Sequence, residues 1–415
     1  VAITDIDGVL RGKYMHVDKF LKSIESGYGF CDVIFGWDSS DDLYEFKISD
    51  KQNLFTGWHT GYPDQTVRII LDSQRTIPFE RNTPFFLSEL KDGEVCPRNA
   101  LKKALKLLKE LGFKGKSALE YEFFLFNETP HSVREKDFQN LTSFTPGMFG
   151  YSLLRSSVHS ELFQEILELC ESMDLPLEGL HTETGPGVLE AAIAADETLN
   201  SADKAVLFKT FMKVLAQRKN LMATFMAKWS EKYPGQSGHV HCSLMDLENN
   251  PVFSTKETGE MSEVMVNFLG GLQKYSKEFM ALVAPTTNSY KRLCIGAWAP
   301  INMTWGKDNR TTGFRVIEGP PHSQRIENRL PGADANPYLA LAATLGAGLL
   351  GIKEKLQPTE PTQGGAYFIK VEDHHKVPNS LLEAAQLFKK SQAARSIWGD
   401  QFVDHFSATR VWEHE

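Results

Sequence analysis

Glutamates recur in this chain where apolar sequence would be expected. In LEYEFFLF (119–126) Glu120 and Glu122 stand two positions apart. A strand's period of two puts both on one face with Phe124, opposite Tyr121, Phe123 and Leu125. Unpaired carboxylates are costly to bury, so the pair faces water, as on a charged edge strand, or meets cations. Further on, Glu183 and Glu190 in HTETGPGVLE (181–190) flank Gly185, Pro186 and Gly187. Such a turn lets the chain fold back and bring both carboxylates to one ion, a solvated acidic loop being the plainer alternative. In SGHVHCSL (237–244) His239, His241 and Ser243 share one strand face, and Val240, Cys242 and Leu244 the other. Alternating imidazoles serve a metal, a phosphate or a hydrogen-bond network.

RIENR (325–329) sets Arg325, Glu327 and Arg329 at strand spacing, and with Arg310 and Arg315 four arginines fall within twenty residues. A surface ion-pair ladder would account for RIENR alone. The density suits bidentate capture of carboxylate and phosphate oxygens. Five glutamates and one histidine offer hard oxygen donors with imidazole, a set for magnesium or manganese rather than zinc. Two such ions beside arginines fit nucleotide phosphates and phosphoryl transfer. No GxxxxGK[ST] loop and no kinase signature set is present, so a nucleotide must be held by another scheme. A two-metal phosphohydrolase would draw on the same carboxylates.

These side chains need elements to carry them. The first ninety or so residues mix short strand-like runs (TVRIILDS, TPFFLSEL) with turn-rich stretches, and only residues 17–26 read as a helix. This predicts a small β-rich domain ending near Cys96. Pro97 then opens PRNALKKALKLLKELG, where Leu101, Leu105 and Leu108 recur at helical spacing before Gly112. The carboxylate strand follows, then a helix over SELFQEILELCESM, a loop over EGLHTETGPGVLEAAI and a helix over about 201–219. Strands come next over LMATFMAKW and SGHVHCSLMD, and a late helix has Asn336 as N-cap and Pro337 in its first turn. Strands and helices interleave without βαβ regularity, which predicts an α+β fold.

A chain of 415 residues exceeds the usual single-core limit, so two domains are expected. It is 41% hydrophobic and 24% charged, an ordinary globular balance. A formal net charge of -8 argues against nucleic-acid and anionic-membrane surfaces. No apolar run is long enough to span a bilayer. The opening VAITDIDGVLRGKY reads as strand rather than as a signal or transit peptide, which leads us to expect a cytoplasmic chain with residues missing before Val1. Five scattered cysteines without a CxxC pair predict reduced thiols.

In this order LEYEFFLF, HTETGPGVLE, GHVHCSL, RTTGFRVIEG, RIENR and ANPYLALAA resemble motifs of the glutamine synthetase superfamily, from about Gly8 to Ile352. Each is weak alone; their joint order is specific. The resemblance implies a β-grasp N-terminal domain (1–95) and a catalytic domain (96–415) built on a curved antiparallel sheet with helices. It also implies a homo-oligomer of stacked rings with active sites between neighbouring subunits. Carried over by position, it makes Glu122, Glu183 and Glu190 ligands of one metal, and Glu120, His239 and Glu327 ligands of another. It sets Arg292 and Arg329, with Gly235, at the carboxylates of a substrate glutamate, and Arg310 and Arg315 at the phosphates of ATP. Glu178, His241, Ser243 and Arg325 fall around the nucleotide. The implied activity is ATP-dependent transfer of the γ-phosphoryl to a glutamate carboxylate, giving an acyl phosphate that an amine attacks.

One segment departs from the family pattern. The flap over the glutamate site, RLxPGYEAP in the family, here reads RLCIGAWAP (292–300), with Trp298 in place of the glutamate that helps bind and deprotonate ammonium. An indole accepts no proton. Asp38 in GWDSSDD matches the aspartate that a neighbouring subunit contributes to the ammonium site. Losing an anionic partner weakens a small-cation site, whereas an indole contacts the apolar or cationic body of a larger amine. The expectation is therefore a γ-glutamyl amide from an organic amine. A glutamine synthetase proper and a catalytically silent relative remain alternatives. LQPTEPTQGGAYFIK lacks the tyrosine motif adenylylated in some bacterial relatives, so that regulation is not expected.

Overall fold

The structure is a computed structural model and describes residues 1–46, 54–255 and 260–415. Near the N-terminus β1 (Ala2–Thr4) and β2 (Leu10–Gly12) form a hairpin. Its turn is tied by Asp5, whose Oδ1 accepts the N–H groups of Asp7 and Val9. Helix α1 (Val17–Ser26) falls where the sequence predicts it. Strands β3 (Tyr28–Cys31), β4 (Asp64–Ile69), β5 (Arg75–Ile77), β6 (Thr83–Phe85) and β7 (Leu87–Leu90) follow. Five of these strands make one sheet in the order β2-β1-β7-β4-β3, with β1 and β7 parallel, while β5 and β6 pair separately.

Helix α2 (Pro97–Glu110) begins at Pro97 and buries Leu101 and Leu108. It leads into β8 (Phe113–Phe126), the fourteen-residue strand that carries Glu120 and Glu122. After the short helices α3 (Pro130–Glu135) and α4 (Leu153–Val158) comes α5 (Ser160–Ser172). The expected loop at 178–193 is instead mostly a hairpin of β9 (Leu177–Thr182) and β10 (Val188–Ile193). Its alternation is blurred by polar residues on both faces. Strand β11 (Asp196–Glu197) precedes α6 (Thr198–Arg218). The expected strand over LMATFMAKW shrinks to β12 (Met222–Thr224), since Gln236 takes the Met226 carbonyl out of any ladder.

Strand β13 (Gly238–Asp246) follows, then α7 (Glu263–Tyr275), α8 (Met280–Val283) and α9 (Ser289–Arg292). Strands β14 (Trp305–Lys307), β15 (Phe314–Ile317) and β16 (Arg325–Asn328) complete a nine-stranded sheet. It runs β14-β15-β16-β13-β8-β10-β9, with β11 and β12 also on β8. The expectation of an antiparallel sheet holds except at one edge, where β14 and β15 pair in parallel.

One face of β8 packs Tyr121 and Phe123 against Phe208 of α6 and against Phe225. The other face carries the glutamates. Helix α10 (Pro337–Glu354) has its N-cap at Asn336, whose side chain accepts from Tyr338 N, and is buried over most of its length. It crosses α7 closely enough that a Cβ on Gly351 would sit 2.2 Å from the Asn267 carbonyl oxygen. The last helices, α11 (Leu381–Lys390), α12 (Gln392–Trp398) and α13 (Asp400–His414), return to the N-terminal sheet. All five cysteines are unpaired. Among the described residues no helix is long and apolar enough to cross a membrane.

Candidate active site

Register converts spacing into a site. In the ladder Glu122 lies opposite Glu190 of β10, Glu120 lies opposite His239 of β13, and His241 lies opposite Glu327 of β16. Four strands therefore deliver four carboxylates and two imidazoles to one face of the sheet, and a fifth carboxylate, Glu183, arrives from the turn between β9 and β10. A cavity of about 620 Å³ covers this face, lined by all five glutamates and His239 together with Arg292, Arg310, Arg315, Arg329, Gly235 and Trp298. A smaller one of about 280 Å³ shares Glu120 and is lined by Glu178, His241, Ser243 and Arg325.

Two groups of donors converge. His239 Nδ1 lies 3.2 Å from Glu327 Oε1 and 3.7 Å from Glu120 Oε2, and His241 Nε2 lies 3.2 Å from Glu120 Oε1. Burial, reinforced by Arg329, pulls His239 down to about 4. His241 and His239 hold Glu120 far below the carboxylate range against its burial, and Glu120 and Glu327 in turn raise His241 despite burial. Glu327 is held at about 2 against burial by His239 and Arg329. His239 Nε2 is buried without a hydrogen-bond partner among the described residues, an atom left for a ligand.

In the second group His181 Nε2 is 3.6 Å from Glu190 Oε1, and Nδ1 is 3.9 Å from Glu183 Oε2. Thr184 donates its N–H and its hydroxyl to Glu183 Oε1, each at 2.8 Å. Although burial opposes it, Glu190 raises His181 to about 9. Glu122 stands beside this group, its Oε2 accepting the Ser237 N–H at 2.5 Å, and burial and the Glu190 charge push it up to about 7. Paired buried acids so raised want a positive partner, and oxygen-rich groups with one imidazole fit a hard divalent cation. Sequence reasoning missed His181, although it precedes Glu183 by the same period of two. Tyr151, stacked on His181 with ring centroids 4.5 Å apart, comes from a distant loop and left no signal in spacing.

The arginines divide by partner. Arg329 and Arg315 each donate to Glu327, Arg315 at 2.9 Å, and Arg315 also bonds Asp308. Arg292 is buried and, among the described residues, donates only to the carbonyls of Leu330 and Arg329, each at 3.0 Å. No carboxylate among the described residues lies within ion-pair distance of it, and burial pulls it down to about 10. Gly235 packs on its stem, since a Cβ there would lie 2.7 Å from Arg292 Cγ. Arg310 is exposed at the cavity wall, and Arg325 Nε donates to His241 Nδ1 at 3.1 Å. Trp298 stands at the lip, 60% exposed, with φ of 57°, a backbone region that costs a bulky residue energy. Its carbonyl accepts from Arg329 Nη2 at 3.2 Å. Asp38 is the one expected residue that the chain does not bring to either cavity; it caps its own turn through the N–H groups of Ser40 and Asp42.

Residues 94–415 match the family model described as "Glutamine synthetase, catalytic domain". The chain is 44% identical to type-1 glutamine synthetase 2 of Dictyostelium discoideum over 423 aligned residues, covering 100% of this chain and 80% of that protein. It is 39% identical to a glutamate–isopropylamine ligase of a Pseudomonas species, covering 99% and 89% respectively. Among solved structures it superposes on ligand-free GmaS with a TM-score of 0.84 at 25% identity, over 99% of this chain and 91% of that one.

Proposed function

The chain belongs to the glutamine synthetase family, and on that premise we propose that it is an ATP-dependent ligase joining the γ-carboxylate of glutamate to an organic amine. The observation that carries this reading is Trp298 at the lip of a cavity where a buried Arg292 has no carboxylate partner among the described residues. The cavity has an anion to receive, and its flap has no acid to hold ammonium.

Two divalent cations, magnesium or manganese, would be held by Glu122, Glu183 and Glu190, with His181 beside them, and by Glu120, His239 and Glu327. Their chemistry is positive charge on phosphate oxygens. Arg292 and Arg329 grip the amino acid's carboxylates beside Gly235. Arg310 and Arg315 neutralise the γ-phosphoryl as it passes from ADP to the γ-carboxylate oxygen. The smaller cavity, with Glu178, His241, Ser243 and Arg325, takes the nucleotide. The amine nitrogen then bonds the acyl carbon, the C–O bond to phosphate breaks, and the amine loses a proton. We assign residues 1–95 to a β-grasp unit and 96–415 to the catalytic unit of a cytoplasmic ring-stacked homo-oligomer. In that assembly Asp38 would serve the site of a neighbouring subunit.

The glutamate–isopropylamine ligase among the relatives supports amine use. The greater identity to the Dictyostelium glutamine synthetase favours ammonium as a second reading. ADP release with glutamate, ATP and a panel of ammonium, isopropylamine, ethanolamine and putrescine decides between them. We expect turnover with at least one organic amine well above that with ammonium. Efficient turnover with ammonium and none with the larger amines refutes the proposal, and ATP hydrolysis independent of glutamate would make the protein a phosphohydrolase.

A further inference from the structure

Cys294 lies two residues beyond Arg292, at the start of the flap that carries Trp298, and is half-buried. Its thiol has a cation aimed at it. Lys228, on the stretch between β12 and β13, is 9% exposed, and its Nζ donates to Cys294 Sγ at 3.7 Å. Among the described residues no oxygen accepts from that ammonium, and no carboxylate lies within ion-pair distance of it. A buried ammonium ordinarily finds oxygen acceptors. The Arg292 guanidinium interacts with the same thiol, so two cations face one sulfur.

The other four cysteines lack this setting. Cys96, Cys170 and Cys242 are buried, and burial pushes the Cys170 and Cys242 thiols up to about 12. Cys31 is half-buried, but its Sγ donates to the Tyr62 carbonyl at 3.3 Å. Thiols that react with oxidants are partly accessible and sit beside cations. Among the described residues Cys294 is the one cysteine bonded to a cation. Both members of the pair have fixed backbones. The Lys228 N–H donates to Asn288 Oδ1 and its carbonyl accepts from Asn288 Nδ2, each at 2.8 Å. Asn288 immediately precedes α9, and just past the other end of that helix the Cys294 N–H donates to the Arg292 carbonyl at 2.9 Å. A direct N–S bond would need those anchors to move, whereas one oxygen placed between the two atoms spans most of the gap. The lysine's flexible stem takes up the rest.

We propose that Lys228 and Cys294 form a reversible oxidative crosslink, Nζ–O–Sγ, when a hydroperoxide reaches the flap. With hydrogen peroxide as oxidant, the thiol and the neutral amine consume two peroxide molecules and yield the link and three waters. The first peroxide forms the S–O bond as its O–O bond breaks, oxidising sulfur by two electrons and releasing one water. The N–O bond then forms with loss of one hydrogen from nitrogen and one from the sulfenic oxygen, and the second peroxide takes up those two electrons and protons to become two waters. Two equivalents of a dithiol supply the four electrons that restore amine and thiol and release the bridging oxygen as water. The link staples one end of the loop in which Gly296, at φ of 79°, leads to Trp298. That loop admits the substrates if the protein is the proposed ligase, so the effect of the crosslink on turnover rests on that reading.

Intact-mass measurement and peptide mapping of the whole protein treated with hydrogen peroxide, before and after dithiothreitol, detect the link without any catalytic assay. We expect a chain that gains one oxygen and loses two hydrogens, a mapped link between the peptides bearing Lys228 and Cys294, and return of the starting mass on reduction. Neither Lys228→Arg nor Cys294→Ser should form it. The wild-type map decides the matter even where a variant fails to fold. An unmodified Cys294, a sulfenic or sulfinic acid on Cys294 without the link, or the same mass change in either variant overturns the site. Glutamate-dependent ADP release is expected to fall about fivefold or more on crosslinking, to recover on reduction, and to resist peroxide in Cys294→Ser. Unmoved turnover in the crosslinked chain, or equal loss in Cys294→Ser, overturns the effect on the flap alone. A protein without ligase activity overturns the proposed function and leaves the mapped link standing.

Discussion

Arg292 concentrates the chemistry of the site in one side chain. A guanidinium with two backbone carbonyls and, among the described residues, no counterion is poorly compensated in the folded chain, and a ligand carboxylate would complete it. Arg292→Met should therefore cost activity out of proportion to stability. Two charge-assisted hydrogen bonds to substrate are worth about 3 kcal/mol or more together, so kcat/KM for glutamate should fall about a hundredfold or more. Against this, the variant strands the carbonyls of Leu330 and Arg329 at about 1–3 kcal/mol each but removes an unpaired buried charge. These effects oppose one another, so the melting temperature should move by only a few degrees. Initial rates across glutamate concentrations, set beside thermal melts, check it; activity falling only in step with the folded fraction would mean that Arg292 is structural. Glu327 illustrates the opposite case, a buried acid already surrounded by Arg315, Arg329 and His239, with its charge met from every side.

Elements decide whether these side chains meet. The turn between β9 and β10 has Gly187 at φ of 76°, and a Cβ there would fall 2.6 Å from the Leu125 carbonyl oxygen and 2.9 Å from Phe144 N. Gly187→Ala combines left-handed strain with a backbone clash, so the hairpin must open and Glu183 must part from Glu190. We expect the variant to remain folded but to lose about tenfold or more in manganese affinity by calorimetry, since a displaced carboxylate no longer serves the ion. Unchanged affinity would mean that this hairpin holds no cation. Much of this scale was legible in the sequence. Period-two alternation places Glu120, Glu122, His239 and His241 on the faces where they lie, and Pro97 and the Asn336–Pro337 pair mark their helix starts. The β9–β10 hairpin was not, because neither face of LEGLHT is cleanly apolar. Tyr151 was invisible for another reason: its ring partner His181 is distant in sequence, and nothing local in the chain records the meeting.

Across the whole molecule, the last helix ties the N-terminal sheet to the body that carries the site. On α13, His405 Nε2 lies 2.8 Å from the Phe35 carbonyl oxygen, and the buried Arg410 pairs with Asp7 at 2.8 Å while donating to the Pro285 carbonyl at 2.9 Å. Burial pulls His405 down to about 4, and its Nδ1 has no hydrogen-bond partner among the described residues. The unfolded imidazole titrates near 6.5, so the folded state binds this proton less readily than the unfolded state does. The stabilising contribution of neutral His405 is therefore complete above about pH 6.5 and is lost as the pH falls towards 4, by then amounting to about 3 kcal/mol. His405→Gln keeps an amide N–H for the Phe35 carbonyl and removes the titration. Melting temperatures of the two proteins should differ by a roughly constant amount above pH 7 and converge as the pH drops to 4.5, with the wild type falling more steeply. Parallel acid limbs would assign the loss to other groups. A steeper limb accompanied by early exposure of residues 1–46 to hydrogen exchange would locate the acid-sensitive joint where α13 meets the N-terminal sheet, the same sheet whose turn at Asp38 is proposed to reach a neighbouring subunit.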